Sequence, residues 1–92
     1  MSNVIVTLKI MPKSPEIDLD KVKSSVKEEI KNFTGETETK TEIEPIAFGL
    51  KALKMMFVMD ESKGATDALE EKIKALEGVQ SVEAVDVRKA VG

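Results

Sequence analysis

Residues 50–59 read LKALKMMFVM, and the fold turns on whether they form a helix or a strand. A helix competes for LKALKMM. The run is short, however, and Phe57 and Val58 follow it, which decides for a strand. From Met55 to Met59 no polar residue interrupts, as in a strand buried on both faces or nearly so.

The neighbours on either side then fall into place. Upstream, residues 37–46 carry three Thr and alternating charge, which suits a strand. Pro45 lacks a backbone donor, which places that strand at a sheet edge. Before it, Leu19, Val22, Val26, Ile30 and Phe33 recur at helical spacing and form one apolar stripe on a helix of residues 19–33. Asp18 reads as its N-cap, Ile17 and Val22 as a hydrophobic staple, and Gly35 as its end. Residues 3–11, NVIVTLKIM, alternate about Val4, Val6, Leu8 and Ile10, with Ile5 and Met11 making the second face partly apolar. This is a strand near the middle of a sheet, ended by Pro12 and Pro15.

Downstream, Thr66 or Asp67 caps a second helix. Leu69, Ile73 and Leu76 form its stripe, Glu70 and Lys74 pair along it, and Gly78 ends it. Residues 79–88 form a last strand on Val79, Val82, Val85 and Val87. Its phase slips between Val79 and Val82, which predicts a bulge or an irregular start. The order is β-α-β-β-α-β. It predicts an α+β, ferredoxin-like sandwich: a four-stranded antiparallel sheet with both helices on one face. The first and third strands are central, and the face bearing Ile5, Thr7 and Lys9 is left open to water or a partner.

The totals agree with one domain over residues 1–92. The chain is 41% apolar and 34% charged, with a formal net charge of -3. Its three aromatic residues are Phe33, Phe48 and Phe57, so aliphatic side chains and five Met fill the core. Met55, Met56 and Met59 read as adaptable core filler, since they fall in a central strand. The charge is dispersed, which argues against direct contact with nucleic acid. Without Cys there is no disulfide, thiol nucleophile or Cys-based zinc site. Without His the commonest metal ligand and general base are missing, so no metal and no cofactor are expected. No stretch approaches a membrane span and no signal-peptide pattern opens the chain, which makes the cytoplasm the expected location. The motifs GxxxxGK[ST], GxGxxG and GxSxG are all missing, and no catalytic residue emerges. The seventeen carboxylates read as a solvated charged surface.

One segment breaks the pattern. Pro45-Ile46-Ala47-Phe48-Gly49-Leu50 falls where the second strand turns into the third, and turns usually carry Asn, Asp, Gly or Ser. Phe48 could fold back over one end of the core. It could instead be held outward as an anchor for a partner's pocket. Composition alone tilts towards packing.

At this segment the sequence resembles a known family. PIAFGLKAL, Pro45 to Leu53, is similar to the PIGFGIKKL-type segment of the elongation factor 1-beta family. The opening VTLKIMPKSPEIDL and the closing GVQSVEAVDVRKAV look like its archaeal form, so the resemblance spans essentially the whole chain. It implies an exchange-factor domain that binds the GTPase elongation factor 1-alpha and speeds release of GDP, with no bond made or broken. It also implies that Phe48 inserts between helices of the GTPase, with Gly49 allowing the bend and Ile46, Leu50 and Lys51 beside them. Eukaryotic relatives use a Lys next to the C-terminus to disturb the magnesium and phosphate site. Here that place falls on Gly92, and Arg88 and Lys89 are the nearest cations. They either act on that site from another angle or are solvated charges at a strand end. Two other readings fit the fold: a small-molecule-binding regulatory domain, and an RNA-binding module of the translation apparatus.

Overall fold

The computed structural model describes residues 3–35, 38–63 and 66–89. The decisive stretch is a strand, β3 (Lys51–Asp60), and it lies inside the sheet. Around it are β1 (Asn3–Pro12), α1 (Leu19–Thr34), β2 (Thr39–Pro45), a short 3₁₀ turn (Glu61–Lys63), α2 (Asp67–Lys74) and β4 (Val79–Lys89). The sheet order is β2-β3-β1-β4, and every neighbouring pair is antiparallel. This is the ferredoxin-like arrangement, with β1 and β3 central as their apolar content requires.

Alternation along the central strands divides their side chains between two faces. Val6, Leu8 and Ile10 of β1 and Leu53, Met55, Phe57 and Met59 of β3 point to the helices and are buried. Val22, Val26 and Ile30 of α1 and Leu69 and Ile73 of α2 close over them. Phe57 is 1% exposed and is among the largest fully buried side chains. The other face is uncovered, so Met56 and Val58 remain 40% and 36% exposed. The expectation of a strand buried on both faces, with all three of its Met as core filler, therefore holds only for Met55 and Met59. A sheet with helices on one side shelters every second residue, however apolar the run.

Asp18 caps α1 as its sequence position predicts, accepting from the N–H groups of Asp20 and Lys21 at 3.0 and 3.4 Å. At α2 Thr66 is the N-cap residue but makes no side-chain cap bond. Its hydroxyl donates to Glu70 Oε2 at 2.8 Å, so Glu70 turns towards Thr66 rather than Lys74. The slip foreseen at the start of β4 is present. Met11 pairs with Ser81 and Pro12 with Val79, which leaves Gln80 as an extra residue. A second shift lies at Val85, between the Thr7–Asp86 and Leu8–Ala84 pairs.

Antiparallel pairing also sorts the connections. The β1–α1 loop, the β2–β3 turn and the α2–β4 turn share one end of the sheet. The end of β4 lies at the other, where Lys89 pairs with Val4.

Candidate functional site

The turn from β2 to β3 is closed by two backbone hydrogen bonds. The Leu50 N–H donates to the Ala47 carbonyl at 2.8 Å, and the Ile46 N–H donates to the Leu50 carbonyl at 2.9 Å. Both central residues have positive φ, 54° at Phe48 and 80° at Gly49. That is the pattern of a type I′ turn, whose twist matches the flanking strands. Glycine fits its second position without strain. The first position favours Asn, Asp or Gly. Phe48 occupies it instead, in the left-handed region that costs an L side chain about 1–2 kcal/mol.

No packing offsets that strain. Phe48 is 96% exposed, so it does not fold back over the core. Ile43 and Ile46 stand on the same end, 52% and 41% exposed, with Leu50 half-buried and Lys51 exposed. Ile43 was not singled out by the sequence. It pairs with Leu53 and so faces the helix side, yet at the sheet edge it lies beyond their cover. Its place in an edge strand just before Pro45 was the available signal.

The two cations are not part of this cluster. Lys89 pairs with Val4, while the hairpin lies beyond the Ile10–Leu53 pair and past the Pro12 end of β1. At ~3.3 Å per residue, the eight steps from Val4 to Pro12 alone span about 26 Å. The molecule is 42 Å long, which accommodates that separation. Arg88 and Lys89 also face opposite sides. Arg88 pairs with Ile5 on the open face and Lys89 with Val4 on the helix side. Arg88 Nε donates to Asp86 Oδ2 at 2.8 Å.

On the open face, Lys54 Nζ lies 2.6 Å from Glu44 Oε2. The hydrogen bond and charge of Lys54 hold the Glu44 carboxyl below the ordinary glutamate value, and Glu44 in turn raises Lys54. Among the described residues no cluster of acidic side chains could hold a metal ion. None of their helices is long and apolar enough to cross a membrane.

Fold and hairpin together describe a small ferredoxin-like domain with one aromatic held outward at a strained bend. Comparison with known proteins gives that description a family. The model of the EF-1 guanine nucleotide exchange domain matches residues 5–90. Elongation factor 1-beta of Methanothermobacter thermautotrophicus is 43% identical over 89 residues, covering 97% of this chain and 98% of that protein. Elongation factor 1-beta of Methanosphaera stadtmanae is 46% identical over 89 residues, with the same coverage. Among solved structures, the de novo designed protein Foldit4 superposes with a TM-score of 0.63 at 21% identity, covering 98% of both chains. BlrP1 BLUF does so with a TM-score of 0.57 at 11% identity, covering all of this chain and 57% of its own. These two show the fold alone. The chain belongs to the EF-1 guanine nucleotide exchange family of translation elongation factors.

Proposed function

We propose that this chain is a single exchange-factor domain that binds the GTPase elongation factor 1-alpha and speeds release of its GDP, so that GTP can load. The observation that carries the reading is Phe48, 96% exposed and at φ 54° on a tight hairpin. A residue that costs the free protein both strain and exposed apolar surface points to a benefit realised in a complex. Ile43, Ile46, Leu50 and Lys51 supply the ground around that anchor, and Gly49 supplies the bend.

The domain works by preference for one state of its partner. It must bind the nucleotide-free GTPase more tightly than the nucleotide-bound one. By linkage, nucleotide weakens the domain's binding by the same factor. No bond is made or broken, so the chemistry needs no acid, base or nucleophile. Arg88 is engaged by Asp86, which leaves Lys89 as the better placed of the two to meet a phosphate and magnesium site at the far end. An RNA-binding reading is not favoured. Phe57 is 1% exposed and faces the helices, so the open face presents no aromatic ring from it for bases to stack on.

The test is release of a fluorescent GDP analogue from elongation factor 1-alpha. The chain is expected to accelerate it, and an unchanged rate overturns the proposal.

A further inference from the structure

We propose that the depression beside the hairpin is the second half of the same interface: while Phe48 enters the GTPase, the depression receives one apolar side chain from it. The inference rests on the reading of Phe48 as the anchor.

The depression holds about 390 Å³ and lies where the β1–α1 loop, the first turn of α1 and the two strands of the hairpin meet. Its apolar lining includes Pro12, Ile17, Leu19 and Ile43. Gly49 belongs to the lining too, which brings the hollow to within one residue of Phe48.

Folding sets most of its walls. Ile17 and Leu19 are half-buried and pack against the hydrophobic core with part of their surface. The Lys13 N–H donates to the Gly78 carbonyl at 2.9 Å, which ties the β1–α1 loop to the α2–β4 turn. Ile43 differs from these. It faces the helix side and yet stays 52% exposed. Folding thus leaves an apolar hollow next to the strained ring, and a hollow formed in advance needs little ordering when it is filled.

The lining selects the occupant. Asp18 and Asp20 border the hollow, with Lys51 of opposite charge. Asp18 Oδ1 already caps α1, accepting from the N–H groups of Asp20 and Lys21 at 3.0 and 3.4 Å. Lys51 offsets the charge of Asp20. The remaining surface is apolar and favours an aliphatic or thioether side chain over a charged one. The shape disfavours a free small molecule. Such ligands are buried over about 70–90% of their surface, whereas Asp18, Asp20 and Gly49 stand exposed around this hollow. A side chain carried on a protein needs no such enclosure, because the protein around it excludes water. Position then names the protein. A pocket that takes up the ring of Phe48 has walls, and on this side they come down over Gly49 and the hollow. Left unfilled, the hollow would hold water against apolar side chains within the interface. An inserted side chain removes that cost.

The test is NMR on the full chain, labelled at its Ile and Leu methyls and Phe rings and bound to nucleotide-free elongation factor 1-alpha. NOEs are expected from the methyls of Ile17, Leu19 and Ile43 to aliphatic side-chain protons of the GTPase. Ile43→Ala should weaken the complex about three- to tenfold and Ile43→Asp about 30-fold or more. Both variants should keep Tm close to that of the parent, since Ile43 stands outside the buried core. A complex in which Phe48 gives NOEs to the GTPase and these methyls give none overturns the proposal and leaves the exchange reading standing. Unchanged affinity in Ile43→Asp does the same. NOEs from these methyls to a second, differently labelled copy of the chain overturn it as well, because the hollow is then a self-association surface. Failure of any complex to form brings down the exchange reading and this inference with it.

Discussion

At the hairpin end of the sheet, Phe48 stands 96% exposed with nothing among the described residues to justify its position. At the β4 end, Arg88 lies 2.8 Å from Asp86, and Lys89 is an exposed charge at a strand terminus. Both ends carry residues that relatives would lead one to examine. They differ in whether folding alone accounts for them. An exposed cation near a carboxylate is ordinary surface chemistry. An exposed aromatic in left-handed backbone is not, because each property costs stability and nothing nearby recovers it. Unexplained cost, rather than position in an alignment, separates the candidate anchor from its surroundings.

The strongest way to break this contrast is Phe48→Ala. Stimulated GDP release should fall about 30-fold or more, as at a central interface anchor, while the thermal midpoint barely moves. Unfolding of the variant would show that Phe48 holds the domain together. The next test uses the strain directly. Phe48→Asn suits the first position of the turn and should stabilise the domain by about 0.5–1 kcal/mol, or roughly 2–8 °C in Tm, while exchange is lost. A fall in Tm would mean that the turn is not strained. At the far end, Lys89→Ala should slow exchange about threefold and Arg88→Ala less than about twofold, as for peripheral charges. A loss at either that rivals Phe48→Ala would abolish the contrast and make that cation part of the mechanism.

The smallest effect concerns the open face. Glu44 has its carboxyl lowered by Lys54, so its contribution to stability is present above its unfolded value and disappears as pH falls through the folded one. Lys54 is raised by Glu44, so its contribution is full below its unfolded value and is lost as pH rises through the folded one. Glu44→Gln should therefore lower Tm slightly near neutrality, and the gap from the unmodified chain should close as pH drops below the ordinary glutamate range. Thermal melts across pH check this.

Most of the frame was legible in the residues. Phe57 and Val58 decided β3, the stripe from Leu19 to Phe33 decided α1, and Asp18 announced its own cap. The slip at the start of β4 was legible because Val79 and Val82 are out of phase. The second bulge, at Val85, was not. In VEAVDV a shifted residue leaves the apolar content unchanged, so only pairing with β1 reveals it. The site was half legible. The oddity of an apolar turn was visible, but its outward pose and positive φ are properties of coordinates, not of composition. Likewise, neighbouring charges at 88 and 89 look like one basic group until strand alternation sends them to opposite faces.

The bulges of β4 have one more consequence. An open four-stranded sheet has two borders, each a row of backbone groups that another chain's strand could extend. Here β4 is interrupted at Gln80 and Val85, and β2 ends in Pro45, which has no N–H to give. Charged Lys40, Glu42 and Glu44 alternate with Thr39, Thr41 and Ile43 along the rest of β2. Both borders are thereby poor templates for growth of the sheet, so the molecule displays a bare aromatic ring beside edges that discourage its copies from joining strand to strand.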